Sequence, residues 1–351
     1  MKSKLFRSDV QNAPGHSVTH SQDGIKLDQN ESPWDIPLEL KVAITEEFIK
    51  TDFNRYSLDH LIDLKKKLAK ENDVLADQIA VANGASMLVQ ALVNLTPEKT
   101  KVLLFYPGPK IYEEQAILMG RSVVTVNLLQ DFSLSAEETI AAIKKYQPGL
   151  IFISNPNSPS GNLFAKENLY KVIRQAPCLT VIDECDYPFS GDTLCEWLTE
   201  FPHMMILRTF SRAFSMAGIR VGYALADSDV IFQLEKILLP YSLPKTSIMI
   251  ARMALEHKEY VERYVKDMVK ERRFLLDGLQ KISYVTPFSS DTNAILFRVP
   301  NAKFVLRELK KHKIFVRDVE DENLLKNCLQ VTIGLPEENM LFLKAMQEIM
   351  R

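Results

Sequence analysis

Three short stretches of this chain carry residue types suited to phosphate and proton chemistry. The run Val81-Ala-Asn-Gly-Ala-Ser-Met-Leu-Val-Gln ends a strand-like segment at Gly84 and passes straight into an apolar, helix-like one. The first backbone N–H groups of such a helix lack partners and its dipole favours an anion, which makes Gly84, Ala85 and Ser86 candidates for a phosphate cradle. A glycine that merely permits a strand-to-helix turn would be written with the same letters. Asp183 closes the apolar run Thr180-Val-Ile-Asp, and a carboxylate at the C-terminal tip of a parallel strand faces the crevice where ligands bind. Its plain alternatives are a helix cap or a surface acid. Ser211, Arg212 and Arg220 place a hydroxyl and two guanidiniums within ten residues, a set suited to an anion and, taken alone, equally to ion pairs.

These residues need a frame, and the chain supplies one by alternating short apolar runs with amphipathic stretches, the signature of an α/β fold. Strands are predicted at Gln78–Ala82, Lys101–Phe105, Ser122–Val126, Leu150–Ile153, Thr180–Ile182 and Met204–Leu207, mostly separated by helix-like segments. That pattern suits a large three-layer domain with a mostly parallel, covered sheet. Pro37–Phe53 and Leu58–Glu71 read as helices, the latter with Leu61, Leu64 and Leu68 at helical spacing. From about Glu259 a long amphipathic helix, striped by Val261, Val265, Met268 and Leu275, leads to a strand at Ile295–Val299 and a smaller α/β C-terminal domain. The expected division is an N-terminal arm over 1–35, a large domain over 36–255 and a small domain over 256–351.

Composition narrows the function classes. With 351 residues, 46% hydrophobic and 25% charged, the chain can bury a sizeable core. Its 43 basic and 45 acidic residues nearly cancel and nowhere gather into a nucleic-acid groove. The opening residues are polar and broken by Pro14 and Gly15, and no later apolar run approaches a membrane span, so a cytoplasmic protein with no membrane or nucleic-acid partner is expected. Cys178, Cys185, Cys195 and Cys328 are too few and too scattered for a disulfide framework, and no His/Cys cluster suggests a metal.

The order and spacing of the pieces carry more than any one of them. The series Asn54-Arg-Tyr, Asn83-Gly-Ala, Asn155-Pro-Asn-Ser-Pro-Ser-Gly, Asp183-Glu, Arg208-Thr-Phe-Ser-Arg-Ala-Phe and Ala217-Gly-Ile-Arg-Val-Gly-Tyr resembles the fold-type-I pyridoxal-phosphate aminotransferases, particularly the histidinol-phosphate aminotransferase group. The likeness extends from Leu-Asp-Gln-Asn-Glu-Ser-Pro at Leu27 to Leu-Gln-Val-Thr-Ile-Gly at Leu329. It implies pyridoxal 5'-phosphate as cofactor, a small phosphorylated or amino substrate, and a homodimer in which Tyr56 reaches a phosphate across the interface. By the same likeness Gly84, Ala85, Ser86, Ser211 and Arg220 hold the phosphate, Asp183 pairs with the ring nitrogen, and Asn30 and Arg317 face the substrate.

The other half of the implied site departs from the pattern. Arg212 stands where the family carries the lysine that tethers the cofactor and shuttles the proton; a guanidinium is effectively never deprotonated and cannot substitute chemically. Ser158 and Asp186 stand where the family has an asparagine and a tyrosine at the ring hydroxyl, Pro109 where an aromatic stacks on the ring, and Gln330 where an arginine grips the substrate. Tyr187 is next to Asp186 but is expected to point elsewhere. Lys110 and Lys245 are the two lysines whose positions invite a replacement role, against a plain reading of solvent exposure. Three readings follow: an aminotransferase-family enzyme using a relocated lysine or a preformed cofactor amine, a binding protein without turnover, and a structural dimer partner with an empty pocket. In the second reading Arg212 becomes a ligand clamp, whereas a pairing of Arg212 with Asp186 would close the site.

Overall fold

The computed structural model describes residues 5–7, 10–11, 23–56, 58–321 and 323–351. The polar stretch around Pro14 and Gly15 lies outside them. A seven-stranded sheet forms the centre, built from β2 (Ile79–Asn83), β3 (Lys101–Tyr106), β4 (Ser122–Asn127), β5 (Leu150–Ser154), β6 (Leu179–Asp183), β7 (Met204–Thr209) and β8 (Val221–Ala226), in the order β2-β8-β7-β6-β5-β3-β4. Every pairing from β7 through β4 is parallel, and β8 runs antiparallel to both of its neighbours.

Both faces of this sheet are dry because both sets of alternating side chains are apolar. Leu103, Ile151, Ile182 and Ile206 join one core, while Val102, Leu104, Leu150, Val181 and Met205 join another on the opposite face. The covering helices are α1 (Leu38–Lys50), α2 (Leu58–Asn72), α3 (Ala85–Leu95), α4 (Lys110–Leu118), α5 (Ala136–Tyr146), α6 (Lys166–Gln175), α7 (Tyr187–Ser190), α8 (Ser228–Ile237) and α9 (Lys245–Glu256). Each strand predicted from the sequence is present, with its ends moved by one or two residues. Strand β8 was not anticipated: Val221-Gly-Tyr-Ala-Leu-Ala lacks alternation because it is buried on both faces along its whole length.

Beyond α9, the long helix α10 (Glu259–Gln280) buries Met268 and Leu275 of its predicted stripe. It is followed by β9 (Thr286–Pro287), β10 (Ala294–Arg298), α11 (Ala302–Lys311), β11 (Ile314–Asp318), β12 (Cys328–Thr332) and α12 (Pro336–Ile349). These strands form a second sheet whose edge is taken by β1 (Ile25–Leu27) from the arm, in the order β1-β11-β12-β10-β9.

The topology explains why residues scattered through the sequence converge. Parallel strands deliver their C-terminal tips to one edge of the sheet, so Gly84 after β2, Pro109 after β3, Ser158 after β5, Asp183 at the end of β6 and Ser211 after β7 all emerge there. Strand β8 runs the other way, and its first residue follows Arg220, which therefore arrives at that same edge.

Candidate active site

The anion end is built by register. Asn83 pairs with Val221 and Thr209 with Gly222, which brings the starts of three connections side by side. Gly84 takes φ +79°, a backbone conformation that other residues rarely adopt, and a Cβ added there would lie 2.5 Å from Arg220 Nη2 and push the guanidinium aside. Gly222 serves the same closeness from below, since a Cβ there would overlap the backbone of Gly84 and Ala85. Arg220 is itself held in the left-handed region at φ 56°, and its Nη1 donates to Ser211 Oγ at 3.4 Å. Unpaired N–H groups of α3, a hydroxyl and a guanidinium thus face one spot, the composition of a phosphate site.

At the next strand tip, Asp183 accepts hydrogen bonds on both oxygens. Tyr112 donates its hydroxyl to Oδ2 at 2.6 Å, and the Cys185 N–H donates to Oδ1 at 3.0 Å. Tyr112 is buried and stacked on Phe152 at 4.7 Å, and burial together with the Asp183 charge pushes its phenol well above its usual range. It stays a proton donor to the carboxylate. Sequence reading missed this contact, because nothing local connects residues 71 positions apart.

Arg212 and Asp186 lie together, Nε to Oδ1 at 3.5 Å, with side chains 28% and 12% exposed. The two atoms form an ion pair but are not aligned as a hydrogen bond, and both are buried without a hydrogen-bond partner. Burial raises the Asp186 carboxyl above its ordinary value, opposed by Arg212 and reinforced by Asp183. Burial and the neighbouring Asp183 also push the Cys185 thiol well up, leaving it uncharged. Tyr187 does point elsewhere: its ring lies 3.8 Å beneath the Arg208 guanidinium. Arg208 is buried against Glu184, donating from Nε and Nη2 at 3.1 and 2.8 Å and bonding to Asn72 and Thr193 as well. That network fixes the strand ends carrying Asp183 and Ser211.

A cavity of about 310 Å³ brings Pro109, Lys110, Tyr112, Ser158 and Arg317 together. Gln330, the cross-strand neighbour of Arg317, is buried and donates Nε2 to the Pro159 carbonyl at 3.0 Å. A proline carbonyl can only accept, so the amide orientation is determined and Gln330 is turned to the loop backbone. Asn30 is buried in internal hydrogen bonds with Thr332 and Asn293. Lys245 lies outside this cavity, its Nζ donating to the Asp52 carbonyl at 2.6 Å. Tyr56 is 78% exposed and stacks on Tyr241 at 4.1 Å, in a separate cavity of about 490 Å³. The geometry therefore gathers Gly84, Ser211 and Arg220 at one spot and Pro109, Ser158 and Arg317 around one cavity, while Gln330 and Asn30 are engaged inside the fold and Tyr56 and Lys245 lie apart from both.

Comparison with known proteins identifies the family and the fold. The model of the aminotransferase class I and II family matches residues 22–343. The histidinol-phosphate aminotransferase of Ruminiclostridium cellulolyticum is 32% identical over 355 residues, covering 99% of each chain. That of Aquifex aeolicus is 34% identical over 328 residues, covering 92% of each. Among solved structures, the histidinol-phosphate aminotransferase of Sinorhizobium meliloti, crystallised with pyridoxal-5'-phosphate, superposes with a TM-score of 0.90 at 23% identity, over 99% of this chain and 98% of that one. The Clostridium acetobutylicum enzyme gives 0.86 at 25% identity, over 93% and 98%. The chain belongs to the class I and II aminotransferase family, among the relatives of histidinol-phosphate aminotransferase.

Proposed function

We propose that this protein binds pyridoxal 5'-phosphate or its amine form without a covalent bond, and that it does not carry out transamination by the family's lysine route. The observation that carries the reading is the Arg212–Asp186 ion pair at the position of the tethering lysine. The residues fit the cofactor's phosphate and ring nitrogen: Gly84, Ser211 and Arg220 form the anion cradle, and Asp183 is held ready as an acceptor by Tyr112 and the Cys185 N–H. They do not fit covalent attachment at residue 212, because a guanidinium remains protonated and is a poor nucleophile. When bound, the cofactor supplies an electron sink for bonds at an amine carbon. The chain's part is to anchor the phosphate, keep the ring nitrogen beside a carboxylate, and present two guanidiniums, Arg212 and Arg317, to the rest of the ligand.

Without the proton shuttle, any residual turnover falls by about a hundred- to ten-thousandfold, before the lost tether is counted. An enzymatic reading rests on Lys110, which lines the same cavity as Ser158 and Arg317. Lys245 is engaged elsewhere. A homodimer completes the proposal, with Tyr56 offered to the partner's phosphate, and the exposed Phe48, Phe53, Tyr56, Leu239 and Tyr241 support it.

Equilibrium dialysis tests the reading. Pyridoxal phosphate and pyridoxamine phosphate should bind saturably, leave completely on dialysis, and lose about tenfold or more in affinity in Arg220→Gln. Retention of the aldehyde form alone after dialysis would contradict it.

A further inference from the structure

The loop 155–163 leaves β5 and brings Ser158 and Pro159 to the wall of the cavity of about 310 Å³. From the large-sheet side, buried Asn157 donates Nδ2 to the Pro107 carbonyl at 3.0 Å and so ties the loop to the turn that carries Pro109. From the small sheet, Gln330 on β12 donates Nε2 to the Pro159 carbonyl at 3.0 Å. Ser158 lies between the two tied residues, so its place on the wall is set by one bond from each side.

Gln330 is 2% exposed and its Oε1 has no hydrogen-bond partner, so the bond to Pro159 is the one hydrogen bond of the amide among the described residues. A buried carboxamide left half-satisfied costs stability that an apolar side chain would not, and both of its neighbours on β12, Leu329 and Val331, are buried and apolar. What the amide adds is a directed hold on the loop. Asp291, between β9 and β10, grips the loop further on: its N–H donates to the Gly161 carbonyl at 2.7 Å, and its Oδ2 accepts from the Leu163 N–H at 3.2 Å. Those bonds engage residues 161 and 163, which leaves Gln330 as the small-sheet contact next to Ser158.

We propose that Gln330 is a positioning residue: from β12 it fixes Ser158, and with it the ring end of the site, relative to the phosphate end. This rests on the proposed non-covalent site. Gln330 acts through the Pro159 backbone and not on the ligand, so a position that the family likeness puts on the substrate side here serves the protein's own loop. Affinity for the ring then depends on a side chain of the second sheet, whereas affinity for the phosphate rests on Gly84, Ser211 and Arg220 of the first.

The probe is 4'-deoxypyridoxine 5'-phosphate, which lacks the aldehyde and cannot attach to a lysine. Its dissociation constant is measured by fluorescence titration for the natural protein, for Gln330→Met, which has the length but no donor, and for Gln330→Asn, which has the donor but not the reach. Each variant should bind about three- to tenfold more weakly, the range of one neutral hydrogen bond. A double-mutant cycle separates positioning from general loosening. In a Ser158→Ala background the Gln330→Met loss should largely vanish, because the group it positions is gone; in an Arg220→Gln background it should persist in full. Where Gln330→Met folds poorly, Gln330→Asn takes its place in the cycle. Unchanged affinity in both Gln330 variants, or a loss of equal size in the two backgrounds, overturns the positioning role and leaves the non-covalent site standing. Failure of the natural protein to bind the probe overturns the site and the positioning role together.

Discussion

At the scale of single residues, the proposed site sets the Gly84, Ser211 and Arg220 cluster beside the Arg212–Asp186 ion pair. The rebuilt pair has a pH signature. Burial raises the Asp186 carboxyl above the ordinary 3.8. A raised acid favours folding in its protonated form, so its contribution is best below 3.8 and is lost as the pH climbs through the raised value. Melting temperatures recorded across mildly acidic pH should therefore fall more steeply in the natural protein than in Asp186→Asn; parallel curves would show that Arg212 fully offsets the burial. The Arg208–Glu184 pair is of a different kind, buried and bonded on every side. Glu184→Gln leaves that guanidinium without its counter-charge and should cost about 3 kcal/mol in urea unfolding. The Gly84, Asp183 and Ser211–Arg220 candidates could be picked out because each lies in a short motif at a strand end. The tuning contacts, Tyr112 on Asp183 and Gln330 on Pro159, were not, because they join segments far apart in the sequence.

At the scale of elements, the proposed anion site depends on how closely β8 approaches the start of α3. Gly84 and Gly222 are the residues that allow it. Gly84→Ala must accommodate a methyl group against Arg220 in a backbone region that disfavours it, and should lose phosphate-ligand affinity more than stability. Titration and thermal unfolding of the same variant separate the two effects; an unchanged dissociation constant would remove this turn from the site. The sequence announced the parallel strands, whose apolar runs are bounded by polar turns. It hid β8, which is apolar on both faces, and β1, whose three residues gain their strand only by pairing with β11.

At the scale of the whole molecule, one chain presents Phe53, Tyr56 and Tyr241 to solvent on the face that also carries Lys245. If a second copy covers it, sedimentation should give a dimer, and Tyr241→Ser should both weaken the dimer and lower phosphate-ligand affinity by removing the support of Tyr56. A monomer of full affinity would separate Tyr56 from the site. The central claim, that the cofactor is held here without a covalent bond because residue 212 is arginine, is tested most directly by borohydride trapping. The natural protein and Arg212→Lys are each saturated with pyridoxal phosphate, reduced, and weighed intact. The account predicts no added mass on the natural protein and one reduced cofactor on the lysine variant, mapped to residue 212. A stoichiometric adduct on the natural protein, at Lys110 or any other pocket lysine, would contradict it and restore a lysine-dependent enzyme.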